Sequence, residues 1–450
     1  MTIDLPEAFI NRIRTQLGGE AEAFIASYNY EAVKSLRINT LKGNKDTLFS
    51  ENVIEEDLNE VDITQSIEWC SDGFYYSESE ECQPGKSPLH AAGAYYIQEA
   101  SAMSPVEELS VVPGDRVLDL CASPGGKSSQ IAMKLEGEGI LITNEPDPKR
   151  VRILSENIER MGVTNAMVIN HYPQDISERF EGYFNKILVD APCSGEGMFR
   201  KNPEAISEWS PENVMMCAER QKEIVTEAVK MLAPGGRLVF STCTFSTEEN
   251  EGTVDYIVST YKDIHHIKSG RLWPHLNKGE GHFYAVFEKE GFADMKPLNE
   301  SYSPLGYEKE VKPNDAKDYL QFAKEIFAIP YLSDGYQFKL FGDELYSIPI
   351  GTPSLKGLKV LRCGLHLGTL KKDRFEPNHS LALAVKPLHV NNSVELNREE
   401  AIKFMHGETI NREGIKGWCI VCYKGYSLGW GKASGGVIKN HYPKGLRINY

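Results

Sequence analysis

The chain has 450 residues, of which 41% are hydrophobic and 25% are charged, and its formal net charge at pH 7 is -15. No apolar run approaches the roughly 20 residues that cross a bilayer, and the N-terminus lacks an apolar signal core, so no membrane contact and a cytoplasmic location are expected. The negative charge excludes a wholesale nucleic-acid binder, because phosphate contacts need Lys and Arg, but it leaves room for local basic faces. At roughly 150 residues per domain, the length predicts more than one domain.

The N-terminal part, residues 1–90, is predicted to be a small mixed α/β segment. PEAFINRIRTQLG has the apolar spacing of a helix, and VKSLRINTLK is typical of a short strand. Residues 45–85 contain twelve acids against Lys45 alone. This acidic stretch is predicted to be surface or loop.

Residues 91–290 carry a different pattern, in which short apolar strands alternate with helices. The segment from VPGDRVLDLCASPGGKS to VINHYP predicts strand, Gly turn, helix, strand, helix and strand. It is followed by the strand NKILVDAP, a long helix ended by Gly, and the strand GRLVFSTC. This alternation indicates βαβ units around a buried parallel sheet, so the fold class is α/β with a doubly wound domain.

The C-terminal part follows a predicted linker at about 290–315, where Pro, Asn and Lys accumulate. QFKLFGDELYSIPI and expected strands near 357–365 and 381–387 indicate a β-rich region, which we divide into a small intermediate module (316–375) and a final module (376–450). Residues 416–450 carry six Lys or Arg and no acid. This charge favours RNA contact at the C-terminal end, and a merely solvated basic tail fits it equally well.

Nine cysteines are scattered over the chain, an odd number that is unlike a disulfide framework and indicates reduced thiols. The CxxC motif formed by Cys419 and Cys422 falls in a predicted strand with no second ligand pair nearby. No metal site is predicted, and individual cysteines are available for catalysis.

A Gly-rich turn lies between a strand and a helix in VLDLCASPGGKS, residues 117–128. A P-loop would need Gly where Cys121 stands, and the GxGxxG dinucleotide fingerprint is absent. Glu145 ends the next strand, twenty residues past Gly125, where a carboxylate suits a ribose diol. Acids at two neighbouring strand ends, Asp119 and Glu145, without a diphosphate cradle predict S-adenosylmethionine as the ligand.

Two thiols follow the next two strands, Cys193 in DAPC and Cys243 in STCT. One helical crossover predicts that these strands are adjacent, about 4.8 Å apart, with both thiols facing the ligand crevice. A lone cysteine at a strand end is most often a small buried hydrophobe, but two with small polar neighbours indicate chemistry. A cysteine hydrolase would need a histidine base, and neither His171 nor the later histidines lie in a partner motif.

Methyl transfer to a pyrimidine carbon would use both thiols. Carbon 5 of cytosine is a poor nucleophile until a thiolate adds to carbon 6, which produces an enamine that can accept a methyl group. Afterwards the proton on carbon 5 must leave and the thiolate must be expelled. One cysteine would add and a second group would help release, and spacing alone does not assign the two roles.

Several long motifs occur in a fixed order: SLRINTLK, YYIQEASAM, DLCASPGGKS, TNE, DAPCSGEGMFRK, STCTFSTEENE and GWGKASGGVIKNHYPKGLR. In these motifs the chain resembles the RNA cytosine-C5 methyltransferases of the NOL/NOP/Sun family, and most closely their bacterial RsmF type, which acts on 16S ribosomal RNA. The match covers almost the whole chain. It implies a Rossmann-like class I S-adenosylmethionine methyltransferase domain (91–290) with an N-terminal RNA-binding-like segment (1–90) and a C-terminal PUA-like RNA-binding module (376–450).

The resemblance also implies roles for individual residues. It implies that Cys243 is the nucleophile, that Cys193 assists product release and that Asp190 lies near the methionine end of the cofactor and the target base. The implied cofactor site comprises Cys121, Ala122, Ser123, Pro124, Gly125, Gly126, Lys127, Glu145 and Asp190. The implied RNA contacts are Lys127, Arg200 and Lys201, with Lys432, Lys439 and Lys444 in the PUA-like module. Many relatives carry an Asp where Tyr172 stands, and Asp175 either replaces it or caps a turn.

The sequence therefore predicts S-adenosylmethionine-dependent methylation of cytosine carbon 5 in 16S ribosomal RNA through a covalent Cys–cytosine adduct. The expected partner is small-subunit RNA or the assembling subunit. Two alternatives are a transfer RNA cytosine-C5 methyltransferase and a non-catalytic RNA-binding ribosome-assembly factor.

Overall fold

The computed structural model describes residues 3–50, 53, 57–58, 61–79, 82–292, 306–328, 335–372 and 374–447. Over these residues the strands form four β-sheets. None of the helices in these ranges is long and apolar enough to span a membrane.

The N-terminal segment combines a helical hairpin with a four-stranded antiparallel sheet. Its helices are α1 (Glu7–Leu17), α2 (Ala21–Ser27), α3 (Lys45–Leu48) and α4 (Pro88–Ala91), and its strands are β1 (Lys34–Ile38), β2 (Val61–Ile67), β3 (Cys70–Tyr76) and β4 (Tyr95–Ile97). The strand order is β2-β3-β1-β4. The predicted helix and strand are confirmed as α1 and β1.

The acidic stretch is not all loop, which corrects the sequence expectation. Strands β2 and β3 form a hairpin whose inner face buries Phe74 and Tyr76, while Asp62 and Glu68 are exposed. Acidic residues on the outer face of a strand are compatible with a buried inner face, because successive side chains point to opposite sides. Charge density alone therefore did not reveal the strands.

The central domain is the predicted doubly wound α/β unit. Its strands are β5 (Arg116–Asp119), β6 (Ile140–Asn144), β7 (Ala166–Ile169), β8 (Phe184–Asp190), β9 (Leu232–Thr242), β10 (Ile264–Leu272) and β11 (His282–Lys289). Its helices are α5 (Ser104–Leu109), α6 (Gly126–Leu135), α7 (Arg150–Arg160), α8 (Pro173–Ser177), α9 (Pro203–Glu208), α10 (Pro211–Met231) and α11 (Glu251–Thr260). The strand order is β10-β11-β9-β8-β5-β6-β7, in which β9 through β7 are parallel. Crossover helices cover such a sheet, so its central strands are nearly continuous apolar runs.

The C-terminal part contains two antiparallel or mixed sheets. The first has α12 (Lys317–Ile326) with strands β12 (Tyr336–Phe341), β13 (Glu344–Pro349), β15 (Leu365–Lys371) and β16 (Arg374–Pro377), while β14 (Val360–Cys363) joins the central sheet beside β7. The second sheet consists of β17 (Ser393–Leu396), β18 (Ile410–Asn411), β19 (Gly417–Tyr423), β20 (Tyr426–Ser434) and β21 (Val437–Asn440). Its strand order is β17-β19-β20-β21-β18, and helices α13 (His379–Ala384) and α14 (Arg398–His406) lie beside it. The intermediate region thus contributes an edge strand to the central sheet.

The strand predicted near 381–387 is wrong, because most of that segment belongs to helix α13. The side chain of Asn378 caps this helix by accepting a hydrogen bond from the backbone N–H of Ser380. A short apolar run such as LALAV fits a buried strand or a buried helix equally well, and the cap favours the helix.

The N-terminal and C-terminal sheets share one hydrophobic core. Leu36 and Phe74 from the N-terminal sheet pack in the same cluster as Phe404 and Leu428. A shared apolar core of this kind holds two parts of a chain in a fixed relation more strongly than polar contacts do. The first and last parts of the chain therefore meet on one side of the central domain.

Candidate functional site

The carboxyl ends of β8 and β9 form the centre of the site. These strands are parallel neighbours, as predicted, and Asp190 pairs in register with Ser241. Cys193 lies three residues beyond Asp190, and Cys243 lies two beyond Ser241. The edge of a parallel sheet thus brings together residues that are distant in the chain.

The two predicted thiols are in direct contact, with 3.3 Å between the Sγ atoms of Cys193 and Cys243. The hydrogen bond with Cys243 and burial raise the pKa of the Cys193 thiol well above its ordinary value. Either sulfur can be the donor in this contact, so the structure brings the two thiols together as one hydrogen-bonded pair.

A buried carboxylate, Glu249, links the loops that carry the two cysteines. It accepts hydrogen bonds from the backbone N–H of Ser194 at 3.0 Å, from the Ser194 hydroxyl at 2.5 Å and from Gln221 at 2.8 Å. The Ser194 hydroxyl also lies 2.9 Å from the hydroxyl of Thr244, which follows Cys243. Burial raises the pKa of Glu249 to about 7. Glu249 therefore fixes the spacing between the loops that hold the thiols.

The N-terminal helices pack against the two loops that carry Cys193 and Cys243. Glu196, fully buried, accepts hydrogen bonds from Arg12 at 2.7 Å, from the indole N–H of Trp209 at 2.9 Å and from the backbone N–H of Phe245 at 2.9 Å. Phe9 of α1 packs against the Trp209 ring with centroids 5.7 Å apart. Helix α1 thus supports both cysteine loops, and the N-terminal segment is part of the site's scaffold.

Asp190 is held by three side chains. Lys127 Nζ lies 2.8 Å from Oδ2, the Ser241 hydroxyl donates to Oδ1 at 2.8 Å, and His282 Nε2 lies 3.4 Å from Oδ1. Burial opposes ionisation, but Lys127 and His282 together hold the pKa of Asp190 well below its usual range. Asp190 is therefore a carboxylate at neutral pH and can only accept hydrogen bonds.

The Gly-rich turn leads from β5 into α6. Gly125 has φ +109°, and a Cβ built on it would lie 3.2 Å from Leu154 Cδ1, so this position requires glycine. Two hydrogen bonds hold the turn in place. The backbone N–H of Ala122 donates to the Asn144 carbonyl at 2.9 Å, and the side-chain amide of Asn157 donates to the Pro124 carbonyl at 2.9 Å. Burial raises the pKa of the Cys121 thiol, which indicates a packing role.

Two further acids lie at this edge of the sheet. Asp119 ends β5, and burial raises its pKa to about 7 even though the Ser128 hydroxyl donates to it at 2.6 Å. Its Oδ1 atom is buried and has no hydrogen-bond partner within the described ranges. Glu145 follows β6 and is 2% exposed, and it accepts a hydrogen bond from the backbone N–H of Asp147 at 3.0 Å.

These residues fit S-adenosylmethionine. The turn at Gly125 lets a ligand approach the backbone, Glu145 offers a carboxylate for a ribose diol, and the orphaned oxygen of Asp119 offers an acceptor for an ammonium group. The negative charge of Asp190 and Glu145 suits a sulfonium cation. When bound, this cofactor supplies an electrophilic methyl group.

Among the predicted RNA contacts, Arg200 lies in a different environment from the one expected. Its Nε atom lies 2.5 Å from Glu280, and its other nitrogens donate to the carbonyls of Ser27 and Gly279. Its side chain is 5% exposed, so the guanidinium forms its contacts within the protein. A group buried in this way does not fit the expected RNA contact. The Lys201 side chain is more exposed, at 27%, and its Nζ atom lies 4.0 Å from the same Glu280 carboxylate.

The remaining predicted positions are distributed over two faces. Lys432, Lys439 and Lys444 are exposed on the C-terminal module, and Lys127 is buried against Asp190. Tyr172 is 64% exposed and begins helix α8, where its backbone N–H donates to Asp175 at 3.3 Å. Asp175 thus caps this helix.

Sequence reasoning missed His282 and Glu249. His282 begins strand β11, in GEGHFYAVFEK, and Glu249 lies in STEENE. A polar residue at the start of this apolar strand was the available signal for His282. Glu249 lies among neighbouring acids at positions 248 and 251, so the sequence does not distinguish the buried one from the others.

A doubly wound sheet with this turn and these strand-end acids defines a Rossmann-like S-adenosylmethionine-dependent methyltransferase. Family models match along the chain: 16S rRNA methyltransferase RsmB/F at residues 106–288, the N-terminal domain of 16S rRNA methyltransferase RsmF at 5–100, the RsmF rRNA methyltransferase first C-terminal domain at 321–385 and the methyltransferase RsmF PUA domain at 391–448.

Two relatives named ribosomal RNA small subunit methyltransferase F are similar over nearly their full lengths. The protein of Shewanella oneidensis is 31% identical over 474 residues, covering 99% of this chain and 97% of the relative. The protein of Vibrio cholerae is 32% identical over 469 residues, covering 99% of this chain and 98% of the relative. The chain therefore belongs to the RsmF family of 16S rRNA methyltransferases, and it is an S-adenosylmethionine-dependent rRNA methyltransferase.

Solved structures agree with this fold. A methyltransferase homolog protein from Pyrococcus horikoshii superposes with a TM-score of 0.56 at 26% identity, covering 63% of this chain and 95% of that one. The structure of NSun6 from the same organism with SFG has a TM-score of 0.57 at 21% identity, covering 64% and 99%. At the latter identity the likeness concerns the fold alone.

Proposed function

We propose that the protein methylates carbon 5 of cytosine in small-subunit ribosomal RNA through a covalent adduct with Cys243. The observation that carries this proposal is the pair of thiols 3.3 Å apart, beside a carboxylate, at the carboxyl edge of a methyltransferase sheet. Methylation of an RNA nitrogen or ribose oxygen needs no thiol, whereas methylation of a pyrimidine carbon needs a nucleophile. Two thiols in contact therefore favour the carbon.

The reaction begins at Cys243. After its thiol proton passes to solvent, the thiolate forms a bond to carbon 6 of cytosine, and the electron pair of the 5,6 double bond makes carbon 5 nucleophilic enough to take the methyl group that bound S-adenosylmethionine would supply, with S-adenosylhomocysteine as the leaving group. The proton on carbon 5 then passes to solvent, its bonding electrons restore the double bond, and the carbon–sulfur bond breaks with its electrons returning to sulfur. The overall change replaces a hydrogen on carbon 5 with a methyl group.

Cys193 assists the last step. We assign the donor role to Cys193, since the hydrogen bond with Cys243 and burial both raise the pKa of its thiol and either sulfur can donate in this contact. A donor beside the sulfur of Cys243 stabilises the departing thiolate. Without it, the adduct should form and then break down slowly.

Asp190 positions the base. As a carboxylate paired with Lys127, it accepts hydrogen bonds and does not donate them, so it suits the amino group of cytosine and disfavours the carbonyl oxygen that uracil carries at the same place. Lys127, as a donor beside the carboxylate, faces the same base. The turn from Cys121 to Lys127 with Glu145 holds the cofactor next to this pair.

RNA binding beyond the target base is assigned to the C-terminal module. Lys432, Lys439 and Lys444 are exposed, and Lys432 Nζ lies 4.9 Å from the centre of the Trp418 ring. Exposed lysines beside an aromatic ring suit phosphate and base contacts. We accordingly assign RNA docking to residues 376–450, chemistry to 91–290, scaffold roles to 1–90 and a connecting role to 316–375.

The test uses purified protein, small-subunit RNA and labelled S-adenosylmethionine. Cys243→Ser should abolish methylation, and Cys193→Ser should leave protein covalently attached to RNA on a denaturing gel. Full methylation by Cys243→Ser would overturn the assignment of the nucleophile. Bisulfite sequencing of RNA from a deletion strain separates the substrates, since loss of methylation confined to transfer RNA would contradict the ribosomal assignment.

A further inference from the structure

His282 is a buried histidine at the centre of the site. It begins strand β11, which runs antiparallel to β9 with Phe283 paired to Thr242. One step further in the same register places His282 beside Cys243. Its side chain is 3% exposed, so the ring is enclosed by the protein and by the crevice that receives the base.

Both ring nitrogens of His282 lack a hydrogen-bond partner within the described residues. Nε2 lies 3.4 Å from Asp190 Oδ1, slightly longer than the roughly 2.7–3.2 Å of an ordinary N–H···O bond. A buried polar atom left unpaired destabilises a fold, so one that persists in a site indicates a role there. The nearest acceptor, Asp190, is the residue assigned to the base.

The ring is electrically neutral at physiological pH. Burial lowers the pKa of His282, the ammonium of Lys127 lowers it further, and the carboxylates of Asp190 and Glu99 oppose these effects. A neutral imidazole carries one N–H, and the acceptor beside Nε2 selects the tautomer with the proton on that nitrogen. His282 is thus a donor to the carboxylate without adding a full positive charge to the site.

We propose that His282 is a positioning residue for the methyl-accepting cytosine: when the base binds, the Nε2–H of His282 closes the 3.4 Å separation from Oδ1 of Asp190, forms a hydrogen bond there and fixes the carboxylate. The inference rests on the proposed function, because it concerns the residue that receives the cytosine. Lys127 holds Oδ2, and the Ser241 hydroxyl with His282 holds Oδ1, so the carboxylate is restrained through both oxygens. A carboxylate restrained in this way meets the base in one orientation.

The decisive comparison is between His282→Gln and His282→Phe. Glutamine can place an N–H close to the position of Nε2, whereas phenylalanine fills similar space without a donor. His265→Gln, at an exposed position on the neighbouring strand β10, serves as the matched control. Single-turnover methylation rates are measured at saturating S-adenosylmethionine and saturating small-subunit RNA, with separate measurements of RNA affinity, cofactor affinity and thermal unfolding midpoint.

His282→Phe should lower the single-turnover rate about 10- to 100-fold, as expected for loss of a hydrogen bond to a charged group, with RNA and cofactor affinities unchanged. His282→Gln should remain within about threefold of the unaltered protein and the control. Equal losses in both variants would overturn the donor role, and so would a fully active His282→Phe.

A substrate RNA with 5-fluorocytosine separates this inference from the proposed function. The fluorine blocks loss of a proton from carbon 5, so the unaltered protein should become trapped on the RNA through Cys243. If it forms no adduct, the proposed function fails. If it forms the adduct and His282→Phe does so at the same rate, the proposed function stands and the positioning role is overturned.

Discussion

The sulfur atoms of Cys193 and Cys243 lie 3.3 Å apart, although fifty positions separate the two residues in the chain. Parallel strands β8 and β9 create this proximity by ending at the same edge of the sheet. The loops beyond the strands are then fixed by Glu249 and by Glu196, two buried carboxylates that accept hydrogen bonds from both sides. The contact between the thiols is thus a product of the sheet and its buried acids.

The first prediction concerns oxidation of this thiol pair. A disulfide bond has a sulfur–sulfur distance of about 2.0 Å, so the two sulfurs need only a small approach to become linked. A mild oxidant such as diamide should abolish methylation and produce a Cys193–Cys243 disulfide, with activity restored by dithiothreitol. Peptide mapping without reduction detects the link. Persistent activity after complete loss of both thiols would contradict the proposed chemistry.

The second prediction separates two neighbouring basic residues. Arg200→Ala leaves the carboxylate of Glu280 buried without its main partner, which should lower the free energy of unfolding by about 3–5 kcal/mol. Lys201→Ala removes only a longer and more exposed contact to the same carboxylate, and should change the free energy of unfolding by less than about 1 kcal/mol. Urea denaturation measures both. If the two variants were equally stable, the buried ion pair would contribute nothing to the fold.

The sequence predicted the central domain well, because its signals are local. Apolar strands, helix caps and the Gly turn each depend on a few adjacent residues, and one crossover between β8 and β9 implies that the strands are neighbours. The positions of Cys193, Cys243 and Asp190 at one edge follow from that topology. Their functional roles, however, were taken from resemblance to a family.

The sequence could not predict which charged residues are buried, because burial depends on contacts between residues that are distant in the chain. The family resemblance implied that Arg200 contacts RNA, yet its guanidinium pairs inside the protein with Glu280, which lies eighty positions later in the chain. His282 and Asp190 are likewise brought together only when β11 pairs with β9. The edge strand β14 also depends on a long-range pairing, because its partner β7 lies far earlier in the chain.

The third prediction concerns the dependence of stability on pH at Glu249. Burial raises its pKa to about 7, whereas an unfolded glutamate titrates near 4.5. Between these values the folded protein holds a proton that the unfolded chain has released, so the free energy of unfolding falls as the pH rises. At about 1.36 kcal/mol per pKa unit, the loss is on the order of 3 kcal/mol.

Glu249→Gln removes this titration and should reduce the dependence of the unfolding free energy on pH between about pH 5 and pH 7 by roughly half, because the pKa of Asp119, also raised to about 7, contributes with the same sign. Glu251→Gln, at an exposed position two residues further on, is the matched control and should keep the dependence of the unaltered protein. Chemical denaturation at several pH values measures both. An unchanged slope in Glu249→Gln would show that this carboxylate does not hold the proton.

The last prediction tests the RNA face of the C-terminal module through its salt dependence. Each lysine that neutralises a phosphate of single-stranded RNA contributes about 0.7 to the slope of log affinity against log salt concentration. Replacing Lys432, Lys439 and Lys444 together with alanine should therefore reduce the magnitude of this slope by about 2, while leaving the single-turnover methylation rate at saturating RNA unchanged.

Replacing three exposed lysines outside this module, Lys262, Lys309 and Lys317, provides the control with the same change in net charge. If RNA were attracted only by overall charge, both triple variants would lose affinity to the same extent. A smaller slope confined to the C-terminal variant would instead locate phosphate contacts on that module. Because the chain as a whole carries a charge of -15, such contacts require a local concentration of lysines, which residues 416–450 provide.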